Sequence, residues 1–210
     1  MHAKYIVIEG PIGVGKTSLA QLLAKELNSR LFLERVEDNP FLARFYQDRH
    51  QFAFQTQIFF LLSRYRQLET LKQQDLFSTT TLSDYFMPKD RIFAALNLEE
   101  NELALYEQIY TLLNPRIPKP DLVIYLQAEI DVLMQRIKQR GKDYEKPIEW
   151  DYVSALNQAY NDFFFYYNDS PLLVVQTSEI DFVKSRADLE DLLDKITQMK
   201  KGTQYYIPRK

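Results

Sequence analysis

The chain has 210 residues, 46% hydrophobic and 14% aromatic, with a net charge of −3; that is enough for one domain with a sizeable core, and the charge sets up no attraction to nucleic acid or anionic membrane. It contains no cysteine, which excludes disulfides, thiolate zinc and thiol nucleophiles and fits a cytoplasmic setting. His2 and His50 are the only histidines, which argues against a Ser-His-Asp enzyme or a histidine metal site.

The opening stretch MHAKYIVIEG lacks the apolar core of a signal peptide and enters a strand at once, over Tyr5–Ile8. No apolar run approaches the ~18 residues that would span a membrane. A loop holding Gly10, Gly13 and Gly15 follows, and then a helical pattern in which Leu19, Leu22, Leu23 and Leu27 recur on one face. RLFLERV is a second strand, Phe52–Lys72 a long amphipathic helix, TTTLSD a third strand ending on an acid, and Leu103–Leu113 a helix. NPRIPKP announces a fourth strand over Asp121–Ala128, and IDVLMQRIKQR is a helix that stops at Gly141. Trp150–Tyr167 is an aromatic-rich helix whose DFFFYY end reads as core or interface, PLLVVQT is a fifth strand, and Asp188–Met199 is the last helix. The tail KKGTQYYIPRK is expected to be loosely held. Alternation of near-continuous apolar strands with helices predicts an α/β fold of three layers, with a five-stranded parallel sheet at its centre.

Gly10-Pro11-Ile12-Gly13-Val14-Gly15-Lys16-Thr17 fits G-x-x-x-x-G-K-[ST], with the strand before and the helix after that this phosphate-binding loop requires. Its glycines let backbone N–H groups turn toward phosphate oxygens, and the helix N-terminus adds partial positive charge. Lys16 bridges the outer phosphates of ATP in this reading, Thr17 ligates Mg²⁺, and Ser18 completes the stretch. A GTPase would need D-x-x-G and N-K-x-D, and neither occurs. A small-molecule kinase is the leading class.

Five further segments, LERVEDNPFLARFY, the spacing of Tyr46 with Gln57 and Arg64, LSDYFMPKDRIFA, QRIKQRGKDYEKPIEWDY and SEIDFVKS, follow in order. Together they resemble the deoxynucleoside kinase family, bacterial deoxyadenosine and deoxyguanosine kinases in particular, over nearly the whole chain. The resemblance implies a single P-loop kinase domain over 1–210 with a short helical lid at roughly 136–150. It implies ATP-dependent phosphorylation of the 5′-hydroxyl of a purine deoxynucleoside, with Mg²⁺, in a homodimer. In that family pattern Glu34 is the general base for the hydroxyl, with Glu37 and Asp38 as rivals past the strand end. Tyr46 contacts the sugar 3′-hydroxyl and Gln57 the base, with Gln55 the competing amide. Asp84 sits near Mg²⁺, Asp90 pairs with Arg64 and reads the base edge, and Phe93 stacks on the base. Arg136, Arg140 and Lys142 form a cationic lid, Glu145 reaches the 3′-hydroxyl, and Asp181 and Phe182 touch the adenine of the donor. The dimer forms through helices beside the acid-ended strand, where Ile58, Leu61, Leu62 and Tyr65 are interface or core.

The chain departs from the pattern after Asp84. Tyr85 stands where the family carries arginine and Phe86 where it carries serine, so one cation near the phosphates is missing or is supplied elsewhere. Two other readings stay open. One is a nucleoside monophosphate kinase of thymidylate-kinase type, holding the acceptor phosphate with Arg35 or Arg44. The other is a non-catalytic ATP-binding protein.

Overall fold

The computed structural model describes residues 3–73, 80–113 and 118–208. His2, Thr79 of the third strand segment, the first four residues of NPRIPKP, and Arg209 and Lys210 of the tail lie outside the described residues. Among the described residues, six parallel strands form one sheet in the order β2-β3-β1-β4-β5-β6. They are β1 (Tyr5–Glu9), β2 (Arg30–Phe32), β3 (Thr81–Ser83), β4 (Leu122–Gln127), β5 (Leu172–Gln176) and β6 (Thr203–Tyr206). The helices are α1 (Lys16–Glu26), α2 (Leu42–Gln47), α3 (Arg49–Gln73), α4 (Lys89–Asn97), α5 (Glu100–Leu113), α6 (Ile130–Arg140), α7 (Trp150–Tyr166) and α8 (Arg186–Gln198).

The unbroken apolar runs of β1 and β4 follow from burial on both faces, since successive side chains point to opposite sides. Ile6, Ile8, Ile124 and Leu126 enter a core shared with Leu19 and Leu23 of α1, Leu133 of α6 and Leu192 of α8. Tyr5, Val7, Val123 and Tyr125 enter a second core with Leu61 and Tyr65 of α3, Tyr106 of α5 and Tyr160 and Phe164 of α7. Leu61 and Tyr65 are thus core residues, while Leu62 is 38% exposed.

The five-strand expectation is corrected to six, because the tail is not loose. It turns at Gly202 (φ 73°) and pairs with β5 in the register Leu172↔Thr203. Tyr206 is buried and its hydroxyl donates to Asp191 of α8. Only that one residue of the edge strand is buried, so the segment carries almost no apolar signal. Helices α2 and α4, of 6 and 9 residues, are likewise too short for a periodicity to register.

Candidate active site

The loop after β1 runs from Gly10 into the first turn of α1. Gly15, at φ 105°, caps that helix, and a Cβ there would come 3.1 Å from the Phe182 ring. At Gly13, φ 85°, a Cβ would lie 2.7 Å from the Leu133 carbonyl oxygen, so both positions need glycine for conformation and Gly13 needs it for space as well. Lys16 Nζ donates to the carbonyls of Gly10 (2.6 Å) and Pro11 (3.0 Å). Burial pulls its pKa down to about 8, with Glu9 opposing.

The strands bring their acids to one edge. Asp84, just past β3, accepts Thr17 Oγ1 at 2.5 Å and the Glu34 backbone N–H at 2.7 Å. Burial raises its pKa, against both of those bonds. A hydroxyl and a carboxylate side by side are the hard oxygen donors that suit Mg²⁺, which otherwise takes waters and substrate phosphates. Among the described residues no three His, Cys, Asp or Glu side chains cluster into a cage of protein ligands alone.

Glu34 is bonded to two cations. Its Oε1 accepts Arg64 Nε at 2.7 Å and also Arg64 Nη2, and its Oε2 accepts Lys89 Nζ at 2.9 Å. Burial alone would raise its pKa, but Arg64 and Lys89 outweigh that and hold it at about 2. The remaining arm of Arg64 pairs with Asp90 Oδ1. Asp90 Oδ2 accepts Tyr106 OH at 2.9 Å, and the Asp90 carbonyl accepts Gln57 Nε2 at 2.8 Å. An ionic chain therefore runs Lys89–Glu34–Arg64–Asp90, with the Arg64 guanidinium 4.5 Å from the Phe60 ring centroid.

Glu9 and Lys89 were not singled out from the sequence. Glu9 is fully buried and accepts the N–H groups of Gly10 (2.8 Å) and Phe86 (3.0 Å) and the hydroxyl of Tyr160 (3.2 Å). Burial raises its pKa, while Lys89 and Lys16 act to lower it. Its position, an acid closing an apolar run, was the available signal. Lys89 is 3% exposed and lies 3.5 Å from Glu9 Oε2; nothing in PKDR marks it as buried. Tyr85 is wholly buried, its ring 6.0 Å from that of Phe32 and its hydroxyl donating to the Arg64 carbonyl at 3.2 Å. Phe86 packs among Phe163, Phe164 and Tyr167.

These groups surround one cleft of about 730 Å³. Its wall includes Ile12, Gly13, Val14 and Gly15 through Ser18, together with Glu34, Tyr46, Gln57, Arg64, Asp84, Lys89 and Phe93. Arg136, Arg140, Lys142, Glu145, Asp181 and Phe182 also line it. Gly10 and Pro11 lie outside the wall, and Asp90 sits behind Arg64, fully buried. Gln57 is 5% exposed and faces the cleft, whereas Gln55 and Asp38 are exposed and outside its wall; Glu37 is exposed but lines the cleft. Phe93 meets Tyr160 edge-on, with centroids 6.2 Å apart.

At the mouth, the 3₁₀ turn Asp143–Glu145 lies against α2, with Tyr144 stacked on Tyr46 at 6.2 Å and 11°. Glu145 accepts Arg140 Nε at 3.0 Å and Nη2 at 2.6 Å. Lys142 pairs with Glu37. Arg136 donates to the carbonyls of Val14 (3.2 Å) and Thr177 (2.9 Å), tying the glycine loop to the segment after β5. Phe182 is buried against Gly15, while Asp181 accepts the N–H groups of Val183 and Lys184 in its own turn.

Residues 6–201 match the family Deoxynucleoside kinase. A deoxyguanosine kinase of Bacillus subtilis is 36% identical over 202 residues, spanning 94% of this chain and 98% of that relative. A deoxyadenosine/deoxycytidine kinase of the same organism is 28% identical, spanning 92% of each chain. A solved structure of the M. mycoides deoxyadenosine kinase with bound dATP superposes with a TM-score of 0.81 at 28% identity, covering 93% of this chain and all of that one.

Proposed function

The chain belongs to the deoxynucleoside kinase family, and we propose that it transfers the γ-phosphoryl group of ATP to the 5′-hydroxyl of a purine deoxynucleoside. The observation that carries this is the meeting, in one cleft, of the phosphate loop and the Thr17–Asp84 pair with the Glu34–Arg64–Asp90 chain. The loop N–H groups and Lys16 hold the phosphates, and Thr17 and Asp84 would hold Mg²⁺. When bound, Mg²⁺ neutralises charge on the phosphate oxygens.

The 5′-oxygen bonds to the γ-phosphorus as the bond to the bridging oxygen breaks. ADP departs with that electron pair, and the hydroxyl proton passes to Glu34 Oε2. A carboxylate held at about 2 is a weak base. That suits a loose transition state, in which orienting the hydroxyl matters more than early deprotonation. Arg136 and Arg140 close over the transferring group, Arg140 leaving Glu145 to do so. Tyr46 and Glu145 take the sugar 3′-hydroxyl, Phe93 stacks on the base, and Asp181 and Phe182 bound the donor adenine.

Gln57 commits Nε2 to the Asp90 carbonyl, so its Oε1 is the acceptor left for a base N–H, a group both guanine and adenine offer on the Watson–Crick edge. Residues 1–210 are read as one domain with a lid near 136–150, acting in the cytoplasm. Leu62, Leu105 and Leu112, on α3 and α5, are 38%, 47% and 74% exposed and supply an apolar face for a homodimer. Among the described residues no helix is long and apolar enough to cross a membrane.

The monophosphate-kinase alternative is not favoured, because Arg35 and Arg44 are exposed and outside the cleft wall. The test is purified protein with ATP, Mg²⁺ and a panel of deoxynucleosides and their monophosphates. Phosphorylation of deoxyguanosine or deoxyadenosine is the expected result. Turnover of monophosphates alone, or of nothing, overturns the proposal.

A further inference from the structure

Lys89 is a cation buried at the heart of the cleft and is accounted for by none of the roles above. It is the first residue of α4, directly after Pro88, and its neighbour Asp90 is clamped by Arg64 and Tyr106. At 3% exposure, its ammonium is held at the wall of the cleft between Glu9 Oε2 at 3.5 Å and Glu34 Oε2 at 2.9 Å. Each oxygen of a carboxylate offers about two lone-pair sites. Arg64 fills both on Glu34 Oε1 with two N–H groups. Lys89 occupies one on Oε2, so it decides which single lone pair faces an incoming hydroxyl.

We propose that Lys89 is a positioning residue for phosphoryl transfer, fixing Glu34 so that one Oε2 lone pair is aimed at the acceptor 5′-hydroxyl. The inference rests on the kinase reading and deepens it. Because α4 carries both Lys89 and Asp90 in its first turn, the same rigid element sets the base-recognition end and the chemical end of the ionic chain. The cation absent at position 85 is in this way supplied from position 89. The competing explanation is that Lys89 only neutralises two buried acids for the sake of folding.

The two are separated by kcat and KM for wild type, K89M, K89R, E34Q and the E34Q/K89M double variant, with melting curves to establish that each is folded at the assay temperature. A residue acting through another shows strong non-additivity with it. K89M should lower kcat about a hundredfold, within the range of a general-base contribution, with KM for the nucleoside within about threefold. K89R should regain about tenfold of that loss, since it restores a buried donor of the same charge. In the E34Q background, K89M should change kcat by less than about threefold.

A K89M kcat within about threefold of wild type overturns the inference, as does a loss of equal size in the E34Q background. Where K89M does not fold, K89Q takes its place with the same expected outcomes. Wild-type protein that phosphorylates no deoxynucleoside overturns the kinase reading and this inference with it. An active wild type with an indifferent Lys89 overturns this inference alone.

Discussion

Two buried regions meet along the C-terminal edge of the sheet, and they are built on opposite principles. One is the ionic strip of Glu9, Lys89, Glu34, Arg64 and Asp90; the other is the aromatic layer of Tyr125, Tyr160, Phe164, Phe86 and Tyr167 beside it. Both exclude water. The aromatic layer is held by area and contact, with Tyr125 and Phe164 centroids 4.1 Å apart, so trimming one ring leaves a cavity but strands no charge. The strip is held by mutual compensation, so removing one member strands its partners as buried, unpaired charges. Tyr160 belongs to both: its ring stacks on Tyr125 at 8° and its hydroxyl bonds Glu9. The chemistry is thus mounted on a rigid apolar platform, and the two regions should fail differently under substitution.

The largest expected effect is on the ionic side. Glu34→Gln keeps the shape of the side chain and removes the proton acceptor, so kcat should fall by about 10²–10⁴-fold. Nucleoside affinity, measured calorimetrically, should stay within about tenfold, because Gln57, Phe93 and Tyr46 are untouched. The contrast is Phe164→Ala, in the middle of the aromatic layer. It should cost about 3–5 kcal/mol of stability in denaturant titration through cavity formation. For the protein that remains folded, kcat should change only a few-fold. A Phe164 variant that lost turnover without losing stability would erase the distinction between the regions.

The same distinction explains what could be read from the chain and what could not. The glycine loop was legible because its function is local: eight consecutive residues carry the spacing, the turn and the cation. Strands β1 and β4 were legible because two-sided burial forces unbroken apolar runs. Strand β6 was not, since an edge strand with only Tyr206 buried reads as a polar tail. Gln57 and Gln55 could not be told apart by chemistry, and burial separates them. Lys89 and Glu9 were missed for the deeper reason that a buried charge is defined by its partner. Those partners lie 55 residues away for Lys89 with Glu34 and 151 for Glu9 with Tyr160. The opposite failure is Arg35 and Arg44, plausible by type and position yet exposed and outside the cleft.

Tyr160→Phe probes the junction itself and should have a smaller effect. It leaves the stack on Tyr125 intact and removes one of the three hydrogen bonds that Glu9 accepts. A loss of about 1–2 kcal/mol in thermal or chemical unfolding is expected, the cost of weakening a buried charged acceptor. If the junction couples the regions, kcat should fall a few-fold as well; a stability loss with kcat unmoved would show the aromatic layer to be packing alone.

The smallest effect at ordinary pH belongs to Tyr110→Phe, in the same apolar core with its ring centroid 6.0 Å from that of Tyr106, and it sharpens the comparison through its pH dependence. Burial pushes the Tyr110 hydroxyl up to about 12, Arg91 pulling the other way and Glu107 adding to the rise. In the unfolded chain a tyrosine ionises near ~10. The neutral form is therefore favoured by the fold. Its contribution is fully present below pH ~10 and is lost as the pH rises through about 12. At pH 7 the variant should lie within about 1 kcal/mol of wild type, since no charge is involved. Between pH ~10 and 12 its stability should fall less steeply than wild type, a relative change of roughly 2–3 kcal/mol that leaves the variant the more stable of the two above about pH 12. Denaturant midpoints at several alkaline pH values measure this directly. Parallel curves for the two proteins would mean that the Tyr110 hydroxyl is solvated in the folded chain, and that the buried core ends before it.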